Sequence, residues 1–395
     1  MKVDGSIMVD DPRDAGPAAQ ALESQGYDGG FVFEGRHDPF LQIAVMAERS
    51  ERIELITAIA VAFARNPMNL ANIGYDLQLH SKGRFILGLG SQIKPHIERR
   101  FSMPWSKPAA RMREMISAIR EIWSCWQDGA KLDHRGEFYH HTLMAPFFNP
   151  GPNPFGTPPI FLAGVGPLMT QVAGEEADGY FLHPFHTETF VEQVTMPALE
   201  KGFASSGRKR AGFEISAQAI IVSGADEAAL AEAKQGAKMQ ISFYGSTPAY
   251  RGVLESVGRG DLQGELNALS KRGGWAEMAT LIDDELLEQI AIVATITAVS
   301  PARRRRPRNA KRMSCPLPSQ IMALLLPSRV RFLPTAPIHS GIKFHVRSQI
   351  SRPETAMSGL SPRATARSRA ARNSSLNGRP ESSPKSRGKH RSSAW

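Results

Sequence analysis

The chain has almost no cysteine. Two residues, Cys125 and Cys315, among 395 cannot build a disulfide framework, which excludes a small secreted scaffold. It also lacks an apolar run near the roughly 18–20 residues that span a bilayer. The longest stretch, Ile290 to Val299, carries Thr295 and Thr297. The opening Met1-Lys2-Val3-Asp4-Gly5 does not have the basic-then-apolar layout of a signal peptide. The cytoplasm is the expected location, and no membrane partner is expected.

Acidic residues are scarce in one region only. Residues 301–395 hold 21 of the 48 Lys and Arg but only Glu354 and Glu381 of the 38 Asp and Glu, so that stretch is +19 and residues 1–300 are −9. Ser and Pro supply 27 of these 95 residues, and helical or strand periodicity does not persist beyond short apolar islands such as Ile321 to Leu326. Such a composition buries too little apolar surface to offset its ordering entropy. The expectation is a (β/α) domain over 1–295 and a basic, disordered tail over 296–395. A nucleic-acid arm would call for aromatic interleaving, a repeat or zinc spacing, and the tail has none of them. Abundant Arg, Ser, Pro and Ala fit GC-rich DNA translated out of frame, so a frame change near Ala291–Val299 is the preferred origin, ahead of a genuine disordered extension. No specific nucleic-acid partner is expected.

The body alternates strand and helix. Strands are expected at Lys2–Val9, Gly29–Glu34, Ile53–Val61, Arg84–Leu89, Ile160–Ala163, Gly179–Leu182 and Glu214–Val222, with helices between them. Ala109–Gln127 is a long amphipathic helix whose Met and Trp stripe reads as core. Repeated βα units imply a parallel sheet, and seven strands at this size favour a (β/α)8 TIM barrel. Its eighth strand should follow Ile290, and no normal one is legible there.

In such a barrel the site forms at the C-terminal ends of the strands. Those ends offer Glu34 with His37 and Asp38, Val61, the Gly88-Leu89-Gly90-Ser91-Gln92 run, and Ala163-Gly164-Val165-Gly166 before a helix start. The last pattern suits phosphate, because glycines admit close approach and helix N-termini present free N–H groups; it equally suits a plain tight turn. Glu34, His37 and Asp38 are a candidate proton-handling cluster or a loop salt-bridge cluster with Arg36. His183 and His186 flank Pro184 with no carboxylate at ligand spacing, and adjacent His140 and His141 on a hairpin face opposite ways from each other, so no metal is expected.

Taken in order, Ala21 to Asp28, Glu34 to Phe40, Ile53 to Pro67, Gly83 to Ser91 and Ala163 to Gly179 resemble the luciferase-like (β/α)-barrel oxidoreductases over about Met1 to Ile290. Ala62 to Pro67 and Ser91 to Phe101 resemble the deazaflavin branch more than luciferase proper. The resemblance implies coenzyme F420, or alternatively FMN, at the barrel mouth. It implies cofactor contacts from Glu34, Val61, Ser91, Gln92, His96, Gly164, Val165, Gly166 and Leu168, and proton handling by Glu34 and His37. Ile93 stands where an acid is often found after strand 4. The implied activity is hydride transfer between F420 and a small organic substrate. The alternatives are an FMN-dependent monooxygenase and a non-catalytic flavin-binding protein with an incomplete barrel. A homodimer is expected.

Overall fold

The computed structural model describes residues 2–224, 226–295 and 330–334. Seven strands lie where the sequence predicts them: β1 (Lys2–Ser6), β2 (Gly29–Val32), β3 (Glu54–Thr57), β4 (Phe85–Gly90), β5 (Ile160–Gly164), β6 (Gly179–Leu182) and β7 (Glu214–Gly224). Each pairs in parallel with the next around the barrel. Between them run α1 (Ala15–Gln25), α2 (Pro39–Arg49), α3 (Pro67–His80), α4 (Pro108–Asp128), α5 (Pro167–Glu176), α6 (Met196–Ser206) and α7 (Glu227–Gly245). Proline opens α2, α3, α4 and α5, where its missing N–H costs nothing and its fixed φ suits the first turn. Asp38 and Asn66 cap α2 and α3 by accepting from Phe40 N and Asn69 N.

The eighth position holds no normal strand, as expected. Two short segments lie end to end along β7: β8 (Ala291–Thr295) pairs with Ile220–Gly224, and β9 (Val330–Pro334) pairs with Ile215–Ala219 and with Lys2 and Val3 of β1. A strand therefore does follow Ile290 directly, and the ring is closed by a piece of the region that its composition marks as unstructured. The apolar sequence Ala-Ile-Val-Ala-Thr is long enough for one half of a barrel strand only. The rest of the predicted tail, and positions 296–299 of the Ala291–Val299 span proposed for the frame change, lie outside the described residues.

Alternation along the strands separates two cores. Phe31, Ile56, Ala58, Ile86, Phe161 and Phe181 point inward and fill the barrel. Tyr180 and Leu182, like the apolar face of α4, belong to the shell between sheet and helices. Met112, Met115, Ile116, Ile119, Ile122, Trp123 and Trp126 are all buried, and each such side chain contributes roughly 1.5–3 kcal/mol of burial. The Met and Trp stripe is core, as its spacing predicts.

Candidate active site at the barrel mouth

Gly88 and Gly90 end β4 beside β3. A Cβ on Gly88 would sit 1.7 Å from the Thr57 carbonyl oxygen, and one on Gly90 would sit 2.9 Å from Ile59. Strand packing therefore demands both glycines. Ala58 and Ala163 lie in the same interior cluster, with the Phe181 ring against Gly88 and the Ile59 side chain against Gly90. The Ala58–Ile59 peptide bond is cis.

Glu34 leaves β2 with its carboxylate almost enclosed, at 7% exposure. Its Oε2 accepts from Val61 N at 2.7 Å and from Arg65 Nη1 at 2.6 Å. Arg65 donates also to the Val61 carbonyl and, at 2.7 Å, to Asp38 Oδ2, with Phe40 stacked beneath it at 5.1 Å. Burial alone would lower the Arg65 pKa, but Glu34 and Asp38 outweigh it and hold the guanidinium charged. The cluster is thus real but its cation is Arg65; Arg36 pairs with exposed Asp10 instead. The sequence signal that could have named Arg65 is topological, since β2 and β3 are neighbours and their C-terminal ends must meet. His37 is partly exposed, and its Nε2 lies 3.0 Å from the Asp10 carbonyl. A carbonyl only accepts, so Nε2 carries a proton, and among the described residues Nδ1 has no hydrogen-bond partner.

After β4, Ser91 donates to the Gln92 carbonyl, and Gln92 adopts a left-handed φ of 59°. That conformation is uncommon for a residue with a side chain and marks functional loops. The Gln92 side chain accepts from Ile93 N at 3.1 Å. His96 lies exposed on the helix Lys94–Arg99.

Across the mouth, Gly166 is the residue before α5, whose first turn holds no acidic residue and no capping side chain. Pro167 has no N–H, so Leu168 and Met169 supply the free N–H groups. Space above Gly166 is open, and Leu168 is 68% exposed. Gly164 differs, since a Cβ there would press on Met169. The Gly164 carbonyl accepts from the Tyr180 hydroxyl, which also lies 3.1 Å from Thr170 Oγ1. Burial holds the Tyr180 phenol protonated.

Sequence reasoning missed an aromatic group beside that loop. His183 follows β6 directly, and its ring lies 4.8 Å from Tyr244 and 4.7 Å from Tyr250. The two tyrosines are more than sixty residues along the chain, at and just beyond the end of α7, so no local pattern announces them. Burial, with His186 nearby, pulls the His183 pKa down to about 3. His134 and His141 pair across the predicted hairpin with rings 6.4 Å apart. Among the described residues no group of three His, Cys, Asp or Glu is arranged to hold a metal, and no helix is long and apolar enough to cross a membrane.

The arrangement of a parallel barrel with these loops has relatives. An uncharacterised protein of Mycobacterium tuberculosis is 53% identical over 306 residues, covering 78% of this chain and 90% of the relative. A 5,10-methylenetetrahydromethanopterin reductase of Archaeoglobus fulgidus is 26% identical over 282 residues, covering 69% of this chain and 80% of the relative. The solved coenzyme F420-dependent tetrahydromethanopterin reductase of Methanopyrus kandleri shares the fold, with a TM-score of 0.63 at 18% identity over 84% of this chain and 92% of that one. Residues 2–302 match the luciferase-like monooxygenase family, and the chain belongs to it.

Proposed function

We propose that the protein is a two-electron oxidoreductase that moves hydride between coenzyme F420 and a small organic substrate. The observation that carries this reading is the anion-ready start of α5, open above Gly166. A cofactor phosphate suits that feature. A putative coenzyme F420-dependent oxidoreductase of Mycobacterium tuberculosis, 28% identical over 305 residues, supports F420 as the ring carrier. FMN with oxygen is the second reading, favoured by the family's monooxygenases.

In this reading Gly164, Val165, Gly166 and Leu168 receive the phosphate, and Val61, Ser91, Gln92 and His96 border the ring. The bound cofactor supplies the hydride chemistry. The chain supplies orientation and proton handling. Glu34 already accepts from Val61 and Arg65, so it acts chiefly by fixing the segment that follows β3 and by placing one negative charge beside the mouth. Free Nδ1 makes His37 the better proton carrier of the two.

Turnover with reduced F420 under argon, set against reduced FMN with oxygen, separates the two enzymes, and turnover with neither leaves a binding protein. Gly166→Asp is the structural test. Its φ of −74° and the open space accept a side chain, so folding should be unchanged. Cofactor affinity should fall about a hundredfold, equivalent to roughly 3 kcal/mol. Unchanged affinity in a fluorescence titration would remove the phosphate assignment.

A further inference from the structure

We propose that His183 and Tyr250 form the anchor for an uncharged carbonyl oxygen of the substrate, so that the substrate class is small neutral ketones or enones; this rests on the mouth being the active site, as proposed above. His183 Nδ1 accepts from Phe185 N at 3.1 Å. The ring proton therefore lies on Nε2, which is left as a donor. Among the described residues neither Nε2 nor the Tyr250 hydroxyl has a hydrogen-bond partner, and both side chains are only partly buried. The two rings touch, at 4.7 Å and 49°, so both donors come within reach of one small ligand. Tyr244, whose hydroxyl accepts from Gln240, and Phe185 wall the cluster.

The cluster lacks charge. Among the described residues no acidic or basic side chain pairs with His183 or Tyr250, and the neighbouring His186 bonds to the His183 carbonyl. Burial keeps both groups neutral, His183 held down to about 3 and Tyr250 pushed up to about 12. Neutral donors in an aromatic setting favour an oxygen with lone pairs and no formal charge, because a carboxylate or ammonium would lose hydration without an opposite charge in return. A carbonyl fits: it accepts two hydrogen bonds and brings none of its own donors. His183 follows Leu182, which pairs with Gly164 across β5 and β6, so a molecule held there lies close to the loop proposed to receive the cofactor.

The test uses the full chain and two probes of equal shape, acetophenone and benzoate. Acetophenone should bind at least tenfold more tightly than benzoate, and its carbonyl stretch should move to lower frequency on binding. Tyr250→Phe keeps the ring and should weaken acetophenone about fivefold to tenfold while the band moves back. His183→Phe should do the same, and His183→Gln, which restores an N–H donor, should recover much of the loss. Oxidised F420 should bind the parent and all variants alike. No binding of acetophenone, preference for benzoate, or variants that match the parent would overturn the anchor and leave the proposed function standing. If F420 and FMN both fail to bind the parent while acetophenone responds as described, the anchor stands and the proposed function falls.

Discussion

The two sides of the barrel mouth handle polar groups in opposite ways. At the ends of β2 and β3, three charged side chains close on one another: Glu34 and Asp38 on Arg65, with the Val61 N–H completing the set. At the end of β6, His183 and the tyrosines stay neutral and leave donors unspent. The difference teaches where to look for ligand contacts. A charge buried at 7% exposure must be paired, so the most chemically suggestive residue of the sequence, Glu34, is largely committed to holding the fold. Neutral groups carry a smaller desolvation cost and remain available.

The largest expected effect breaks the charged side. Arg65→Ala would leave the Glu34 carboxylate buried without its cation, at a cost of about 3–5 kcal/mol. Urea unfolding should register that loss. Adding Glu34→Gln to Arg65→Ala should return about half of it, because the stranded charge is gone. A loss under about 1 kcal/mol in the single variant would mean that water replaces Arg65 and that the two sides of the mouth do not differ as argued.

The neutral side responds to pH. His183 is lowered from 6.5 to about 3, mainly by burial and then by His186, with the Phe185 N–H acting the other way. Unfolded His183 takes up a proton below about pH 6.5, whereas the folded group does so only near 3. Throughout that window the unfolded state binds more protons, so stability is complete above 6.5 and falls as pH drops towards 3. His186 and His141 shift in the same direction. Between about pH 6.5 and 5 the melting temperature should fall by roughly 5 °C, before most carboxylates titrate. His183→Phe should flatten that slope by about half. A variant with the parent's slope would show that the imidazole is not enclosed by its neighbours.

Much of the frame was legible because it depends on local pattern. The run Gly-Gly-Phe-Val is apolar on both faces, as a doubly covered strand must be, and the prolines at 39, 67 and 167 mark helix starts without ambiguity. β3 was legible only as one long strand, Ile53–Val61, whereas the structure ends it at Thr57, and nothing in Ile-Thr-Ala-Ile-Ala announces that. The eighth position was not legible, because Ala291–Thr295 is a half-length strand and β9 comes from a segment of unlike composition. In the site, loop glycines and Glu34 stand out in one dimension. Arg65, Tyr244 and Tyr250 do not, since what selects them is contact across strands and between distant segments.

The smallest expected effect probes the link between the two sides of that neutral region. Tyr180 leaves β6 on the outer face, and its hydroxyl donates to the Gly164 carbonyl in the loop proposed to receive phosphate. Tyr180→Phe keeps the buried ring and removes only that donor. Thr170 retains its bond to the Gly166 carbonyl at 3.1 Å, so α5 should still start at the same residue. The stability cost should be about 1–2 kcal/mol, the value of one buried hydrogen bond whose acceptor is left unsatisfied. Cofactor affinity should fall about threefold to fivefold, through a loop held less firmly rather than through a lost contact. Acetophenone binding at His183 and Tyr250 should be unchanged, because the Tyr180 hydroxyl donates to Gly164 and to neither anchor group. A variant that loses ketone binding along with cofactor affinity would mean that the loop at Gly164 and the anchor are coupled, and the division between a positioning group and a donor group would have to be redrawn.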